Sequence, residues 1–390
     1  MSRTFSFLFA LNLFFSGFTL YGQLSDTLQL EEVVVVHSKI PIPLRSTVKP
    51  VLVISRETLQ HQSGKDLAQV LQEEAGIMVS GAYSNPGKDK SLYIRGAGSE
   101  FTVILLDGQP LLDPSGVGGT IDLRLLSLNQ FERIEILKGS QSTLYGSDAL
   151  SGVINLVSKK ASAEPISGHF RASFGSLNSY LTQAGLNGSK GKLSYNANIN
   201  LQGTEGISEA IDQDPTINFD KDGFSQRTAG INIGFVANEN LNLKAFGRGQ
   251  QFFGDFDDGA FSDAPNSYEA ILWQTGFTAN YRKKNTEAHL NIGHMETDRT
   301  FKTAWGTSDF RGFLNQADVW VAFPLREKIK LLAGGNAQLM QMKDPLAVEI
   351  DPDASIWSAY TTILLRPTQT LSAEFGYRFN RHSNFGNNNN

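Results

Sequence analysis

The stretch LSYNANINLQ, residues 193–202, alternates strictly between two kinds of side chain. Leu, Tyr, Ala, Ile and Leu occupy the odd positions, whereas Ser, Asn, Asn, Asn and Gln occupy the even positions. Successive side chains of a β-strand point to opposite faces, so the stretch predicts a strand with one apolar and one polar face. LSAEFGYRFN, residues 371–380, repeats the pattern with Ser, Glu, Gly, Arg and Asn on the polar face.

Comparable segments occur throughout residues 166–390 and predict about eleven strands in all. A soluble sandwich also alternates, but amides, glycines and charges repeated on the inner face over segments of about ten residues favour a water-filled transmembrane barrel. Short turns such as 238–240 and longer polar loops such as 203–225 fit the same layout. Besides the two stretches above, the predicted strands lie near 168–175, 179–187, 226–237, 241–252, 268–282, 286–298, 309–322, 328–342 and 355–366.

Residues 23–160 follow a different pattern, which predicts a small α+β domain. Ser63 is placed to cap a helix that carries Leu67, Val70 and Leu71 at helical spacing and ends at Gly76. Strand-like runs follow at 91–95, 103–106 and 133–137, with glycine-bearing turns between them.

Composition and the N-terminus limit the class of protein. The 390 residues include no cysteine and carry a net charge of −5, which excludes a disulfide framework, a thiolate metal site and a basic footprint for nucleic acid. Arg3 followed by an apolar stretch to Tyr21 predicts a signal peptide over residues 1–22, cleaved after Gly22. The alternative is a membrane-anchoring helix, for which the stretch is barely long enough.

Four stretches of the N-terminal part resemble the TonB-dependent outer-membrane receptors. The first, residues 30–36, looks like a TonB box, a β-prone segment able to add a strand to a partner's sheet edge; its alternative is the first strand of the domain itself. The other three look like parts of the family's plug domain: residues 91–96 with 103–111 as its central strand pair, and residues 131–139 and 144–156 as its closing segments. The proposed box consists of Leu30, Glu31, Glu32, Val33, Val34, Val35 and Val36.

This resemblance implies the fold and the partners. It implies an α+β plug domain followed by an incomplete antiparallel transmembrane β-barrel, with leader 23–44, plug 45–160 and barrel 166–390. TonB would pull on the box from the periplasm, outer-membrane lipid would surround the barrel, and no nucleic acid would be bound. Arg95, Glu132 and Arg133 are the expected plug-to-barrel contacts, with ordinary surface charges as the alternative.

The resemblance also implies a barrel of roughly twenty-two strands, of which this chain would supply about half. An open barrel edge in lipid would leave backbone groups unpaired at a cost of several kcal/mol each. The chain ends in four asparagines without a terminal aromatic strand. We therefore expect an N-terminal fragment of a longer protein.

The ligand expectation follows the cobalamin receptor branch, which the stretches 146–148, 203–208 and 219–223 resemble. A ferric-siderophore receptor, or a signalling relative that does not transport, is the alternative. An enzyme is not expected, and no catalytic residue is assigned, because the glycine-rich stretch 95–98 lacks the third glycine of a dinucleotide loop and no nucleophile elbow or zinc-protease motif occurs.

Two acidic loops suggest calcium, although no cofactor is required. Calcium binds six to eight oxygen ligands, and in the cobalamin branch it orders comparable extracellular loops. The first loop begins like an EF-hand but has Ala229 where the bidentate glutamate should stand, so an EF-hand is rejected. A two-loop site and solvated acidic loops both remain open. The candidate ligands are Asp212, Asp214, Asp220, Asp222, Asp255, Asp257 and Asp258, with Asp263 close by in the second loop.

Overall fold

The structure is a computed structural model, and it describes residues 33–34, 36, 38–44, 47–62, 64–211, 213, 218–343, 353–368 and 371–390. The predicted signal peptide, Leu30 to Glu32, Val35, Ser63, Asp212 and Asp214 lie outside the described residues. Within the described residues, no helix is both long enough and apolar enough to cross a membrane.

The N-terminal part combines short strands with short helices. In chain order these are β1 (Val33–Val34), β2 (Ile42–Pro43), β3 (Val51–Ile54), α1 (Arg56–His61), α2 (Leu67–Gln72), β4 (Ile77–Ser80), β5 (Ser91–Ile94), β6 (Thr102–Leu106), β7 (Gln109–Pro110), β8 (Phe131–Lys138), α3 (Ser142–Tyr145) and β9 (Gly152–Ser158). Short 3-10 turns occupy Ser99–Phe101, Val117–Gly119, Leu123–Leu125 and Leu128–Gln130. The predicted α+β character of this part is confirmed.

A mixed five-stranded sheet with the order β3-β8-β9-β6-β7 forms the centre of this domain. The turn at Asp107-Gly108 joins β6 to β7, and both residues have positive φ, at 52° and 82°. The expected pairing of the two central strands is wrong, because β5 pairs with β4 in a separate sheet whereas β6 pairs with β7 and β9.

The predicted helix exists, but its boundaries differ from the expectation. Helix α2 begins after Asp66, whose carboxylate accepts the Gln69 backbone N–H at 2.7 Å while the Gln69 side chain accepts the Asp66 N–H. This reciprocal capping box satisfies two backbone donors at the start of the helix. The helix ends at Gln72, and Gly76, with φ of 76°, lies in the turn before β4.

The C-terminal part is one antiparallel sheet of twelve strands in sequence order, which we call the wall. Every predicted strand is present, and a twelfth follows at the end of the chain. The strands are β10 (Ser167–Phe174), β11 (Tyr180–Lys190), β12 (Leu193–Ile207), β13 (Asp222–Asn238), β14 (Leu241–Phe256), β15 (Asn266–Lys283), β16 (Thr286–Thr303), β17 (Gly306–Arg326), β18 (Ile329–Lys343), β19 (Ala354–Leu365), β20 (Ala373–His382) and β21 (Gly386–Asn389).

The side of the wall that faces the N-terminal domain is polar on β12, as the alternation predicts. Asn196 and Asn200 point toward the N-terminal domain and are buried, while Leu193 and Ile199 are exposed on the other face. Asn200 accepts a hydrogen bond from the Asn129 side-chain amide and donates one to the Ser127 hydroxyl, both in that domain.

On β14 to β17, however, much of the side that faces the N-terminal domain is apolar. The buried apolar residues on these strands belong to the same hydrophobic cluster as Leu111, Leu123 and Leu125 of the N-terminal domain. The two parts therefore share one continuous core here, which the alternation alone did not predict. The buried wall members are Phe252, Tyr268, Ala270, Leu272, Met295 and Leu314.

Candidate functional site

Ion pairs join the N-terminal domain to the wall, and one group of them centres on Asp107. Its carboxylate oxygen Oδ2 lies 2.9 Å from Lys244 Nζ and 2.9 Å from Arg248 Nη2, both on β14. The Ser158 N–H and hydroxyl donate to the same carboxylate at 2.8 and 2.6 Å. Burial alone would raise the pKa of Asp107, but the two cations and Ser158 outweigh it and hold the pKa well below its usual range.

A second group of contacts surrounds the segment that follows β7. Arg299 of β16 pairs with Asp113 at 3.3 Å between Nε and Oδ2, and it also donates to the Ser115 hydroxyl. Burial raises the pKa of Asp113, and the Arg299 charge only partly offsets that effect. An ion pair and hydrogen bonds from one arginine therefore fix this segment against the wall.

Arg124 links two segments of the N-terminal domain to the aromatic side chains of the wall. Its guanidinium pairs with Asp122 at 2.8 Å, donates to the Gly87 carbonyl at 2.7 Å, and lies 4.2 Å from the ring centre of Tyr268. The Tyr268 hydroxyl donates to Asp122 at 2.9 Å. Arginine suits this position because its planar group can form several hydrogen bonds and stack on a ring at once.

The leader contacts both the N-terminal domain and the wall. Val33–Val34 pair with Ile42–Pro43, and the buried Val36 donates its N–H to Glu135 Oε2 at 3.1 Å. Lys39 pairs with Asp318 of β17 at 2.8 Å, and burial lowers the pKa of Lys39, an effect that Asp318 partly offsets.

The three residues that the sequence suggested as plug-to-barrel contacts have other surroundings in the structure. The side chain of Arg95 is exposed, Glu132 accepts the Lys160 N–H at 3.1 Å, and Arg133 pairs at 2.6 Å with Glu135 on its own strand. The ion pairs described between the two parts are instead made by Asp107, Asp113 and Lys39, and by Lys88 with Glu209.

The sequence carries a signal for the charged residues of the wall that pair with the N-terminal domain. Arg248, Arg299 and Asp318 stand on alternating strands at positions that face the N-terminal domain, where a buried charge needs a partner. Their partners carry no comparable signal, because Asp107 and Asp113 lie in turns or connecting segments, where acidic residues are common, and Lys39 lies in the leader.

A cavity of about 580 Å³ lies between the N-terminal domain and the wall. Segments 87–93, 98–100 and 111–112 and part of 116–124 line one side, and Phe256, Tyr268, Arg299 and Phe301 line the other. This volume is within the range of small-molecule sites, which combine apolar walls with a few fixed polar groups.

The two acidic loops meet at one point, which we call the acidic cluster: Asp220, Asp257 and Asp263, with Asp222 beside them. Carboxylate oxygens of the first three lie within 4.8 Å of one another. Asp222 is 1% exposed, and its Oδ1 has no hydrogen-bond partner. Loss of surrounding water, together with the charges of Asp263 and Asp257, raises the pKa of Asp220. A buried carboxylate oxygen without a donor, next to three others, fits a hard cation such as calcium.

The remaining predicted calcium ligands differ in position. Asp255 lies near Asp220 on the end of β14, whereas Asp258 is exposed and accepts a hydrogen bond from Asn266 at 2.7 Å. The structure thus brings part of the predicted set together, and it adds Asp263 to it.

Comparison with known proteins identifies the N-terminal domain. Residues 43–153 match the family model of the TonB-dependent receptor plug domain. The vitamin B12 transporter BtuB of Photobacterium profundum is 25% identical over 283 residues, which cover 71% of this chain and 45% of that protein.

Solved structures show the same fold. The siderophore receptor PirA of Acinetobacter baumannii superposes with a TM-score of 0.70 at 20% identity, covering 87% of this chain and 57% of PirA. The ferric enterobactin receptor PfeA, in complex with BCV-L6, gives a TM-score of 0.71 at 18% identity, covering 87% of this chain and 59% of PfeA. The chain therefore spans about half the length of the relatives it matches. These matches show that the chain carries a TonB-dependent receptor plug domain, packed against an antiparallel wall in the fold of the known receptors.

Proposed function

We propose that the protein imports cobalamin across the outer membrane, with the plug as the gate and TonB as the source of force. The observation that carries this proposal is the plug itself, fixed to the wall by buried ion pairs at Asp107, Asp113 and Lys39. Such contacts hold the plug in place at rest, and a pull is required to displace it. The similarity to a vitamin B12 transporter favours cobalamin as the ligand.

The leader would receive the pull. Residues 30–36 would add as a strand to an exposed sheet edge of TonB, as β-prone segments do. Val33–Val34 pair with Ile42–Pro43, so this internal pairing must open before the same backbone groups can pair with TonB. Val36 and Lys39 follow directly along the chain and would leave Glu135 and Asp318 next.

A ferric siderophore is the second candidate ligand. The solved structures that resemble this chain include siderophore receptors, although the likeness at 18–20% identity concerns the fold. Both ligands would enter through the cavity between plug and wall, where Tyr268, Phe301 and Phe256 offer apolar surface and Arg124 and Arg299 offer hydrogen-bond donors.

Calcium would bind at the acidic cluster. Asp220, Asp222, Asp257 and Asp263 would supply the carboxylate oxygens, and the ion would neutralise charges that otherwise repel one another. Asp257 is already fixed in place, because its carboxylate accepts the N–H groups of Ala210 and Ala264 at 2.7 and 2.9 Å. The cluster thus joins the loop after β12 to the loop after β14.

Uptake and binding, measured separately in the same cells, test the proposal. The Val34→Pro variant removes a backbone donor from the proposed TonB strand. It should abolish uptake of labelled cobalamin while surface binding persists, and Val34→Ile, which keeps the strand, should retain uptake. Full uptake by Val34→Pro would exclude the TonB-box role. Tight binding of ferric enterobactin without cobalamin binding would change the ligand to a siderophore.

A further inference from the structure

The plug loop that connects β4 to β5 lies directly against the acidic cluster. The Asn85 side-chain amide donates to the Asp222 carbonyl at 2.6 Å and to the Ile207 carbonyl at 3.4 Å. Gly87 packs so closely on β14 that a Cβ on Gly254 would lie 3.1 Å from the Gly87 Cα. The position of this loop, residues 81–90, is therefore tied to that of the acidic cluster.

The same loop also brings a positive charge to the cluster. Lys88 forms an ion pair with Glu209 Oε1. The other carboxylate oxygen of Glu209 accepts the Asp257 N–H at 3.4 Å, and the Glu209 N–H donates to Asp222 Oδ2. Lys88 thus contacts a glutamate that is hydrogen-bonded to two members of the acidic cluster.

A second lysine nearby has a different partner. Lys221 stands between Asp220 and Asp222 in sequence, but its ammonium pairs with Glu205 at 3.1 Å. It belongs to the wall loop and not to the plug. Of these two lysines, only Lys88 can carry an effect of the cluster's charge into the plug.

The acidic cluster is more than a group of surface acids. Asp222 is buried, and its Oδ1 has no hydrogen-bond donor. A buried carboxylate oxygen without a partner is costly, and a bound cation would remove that cost. The charge on the cluster can therefore be offset from two sides, by the plug's ammonium or by an ion from solution.

We propose that Lys88 and a divalent cation offset the charge of the acidic cluster in competition, so that cation binding loosens the plug loop that lines the ligand cavity. The inference rests on the calcium site of the proposed function. Lys88 itself lines the cavity together with Gly87, Asp89 and Lys90. Cation binding outside the cavity would therefore make the plug loop that lines the cavity more mobile. By linkage, any change that loosens this loop would raise the affinity of the cluster for the cation.

The first test is calcium affinity, measured by titration calorimetry on the whole protein. Removing the competing charge in Lys88→Met should tighten calcium binding about threefold or more, since charges a few ångströms apart still interact near a protein surface. Lys88→Arg keeps the charge and should bind calcium as the wild type does. The variant Lys65→Met removes a plug charge paired with Glu73 and should also bind as the wild type does.

The second test is amide hydrogen exchange of residues 81–90. In the wild type, calcium should speed exchange in this loop. In Lys88→Met the loop should exchange fast without calcium and respond little to it, whereas Lys221→Met should keep the calcium response.

Calcium binding of equal affinity in wild type and Lys88→Met would overturn this inference alone, as would a loop whose exchange slows with calcium. Absence of calcium binding in both proteins would overturn the calcium site and the inference together. The proposal that TonB drives uptake does not depend on either result.

Discussion

Neutralising Asp107 should loosen the plug from the wall. The Asp107→Asn variant keeps the shape of the side chain, and asparagine tolerates the left-handed conformation of this turn residue, whose φ is 52°. The substitution therefore removes charge without straining the turn. Arg248, whose side chain is 3% exposed, then loses its charged partner. The described hydrogen-bond acceptors left near its guanidinium are the side-chain oxygens of Gln274 and Asn232, at 3.3 and 3.4 Å.

The expected cost follows from this burial. Removing one partner of a buried ion pair costs about 3–5 kcal/mol, because the other charge stays buried and unpaired. Lys244 is 32% exposed, so water can solvate it once Asp107 is neutral. We therefore expect a loss of about 3 kcal/mol in the free energy that holds the plug strands β6 and β9 in place.

Amide hydrogen exchange measures this loss strand by strand. A cost of about 3 kcal/mol should speed exchange in β6 and β9 about a hundredfold. Asp298→Asn is the matched control, because Asp298 pairs with Arg311 on the exposed face of the wall and should cost less than about 1 kcal/mol. Equal exchange in wild type and Asp107→Asn would refute the argument.

The pH dependence provides an independent check. The pKa of Asp107 is lower in the folded protein than in the unfolded chain. The contribution of Asp107 to the stability of the plug is therefore complete above the pKa of the unfolded chain, about 4. It is lost as pH falls from there toward the lower pKa of the folded protein. Asp107→Asn should lack this component of the acid sensitivity of β6 and β9. A variant whose acid profile matched the wild type would contradict it.

Three further outcomes are expected. Lys39→Met should release the leader, since it removes the ion pair with Asp318; limited proteolysis between residues 33 and 44 should speed up, and unchanged cleavage would count against the contact. Arg124→Lys should lower the stability of the plug by about 1–2 kcal/mol in denaturant unfolding, because lysine can neither form the same hydrogen bonds to Asp122 nor stack on Tyr268 in the same way. Calcium affinity should fall as pH drops, because the pKa of Asp220 is raised and a protonated carboxyl does not bind the ion; a pH-independent affinity would exclude Asp220 as a ligand.

Much of the fold could be predicted from local pattern. Strict alternation, as in residues 193–202, fixes both the strand and the direction of each side chain, and every predicted wall strand is present. Helix α2 was predicted from its apolar spacing, but its start was not, because Asp66 and Ser63 are both good capping residues and only Asp66 has a reciprocal partner at Gln69.

The candidate site was less predictable, because its contacts join residues far apart in sequence. The pair between Asp107 and Arg248 joins positions 141 residues apart, and that between Lys39 and Asp318 joins positions 279 apart. Local sequence shows that a charge exists but not what it faces. The acidic loops were the exception, since their density of carboxylates suggested a two-loop site as one of two interpretations, and the structure brings Asp220, Asp257 and Asp263 together.

The hydrophobic cluster shared by plug and wall means that the plug of this chain is not an interchangeable part. Phe252, Leu272 and Leu314 complete the interior of a domain to which they do not belong in sequence. A plug grafted from a relative would meet these side chains with a surface shaped for others, and each large gap would cost about 2–5 kcal/mol. A working chimera should therefore carry the plug-facing residues of β14 to β17 along with the plug. Over evolutionary time, substitutions on either side should be retained in compensating pairs.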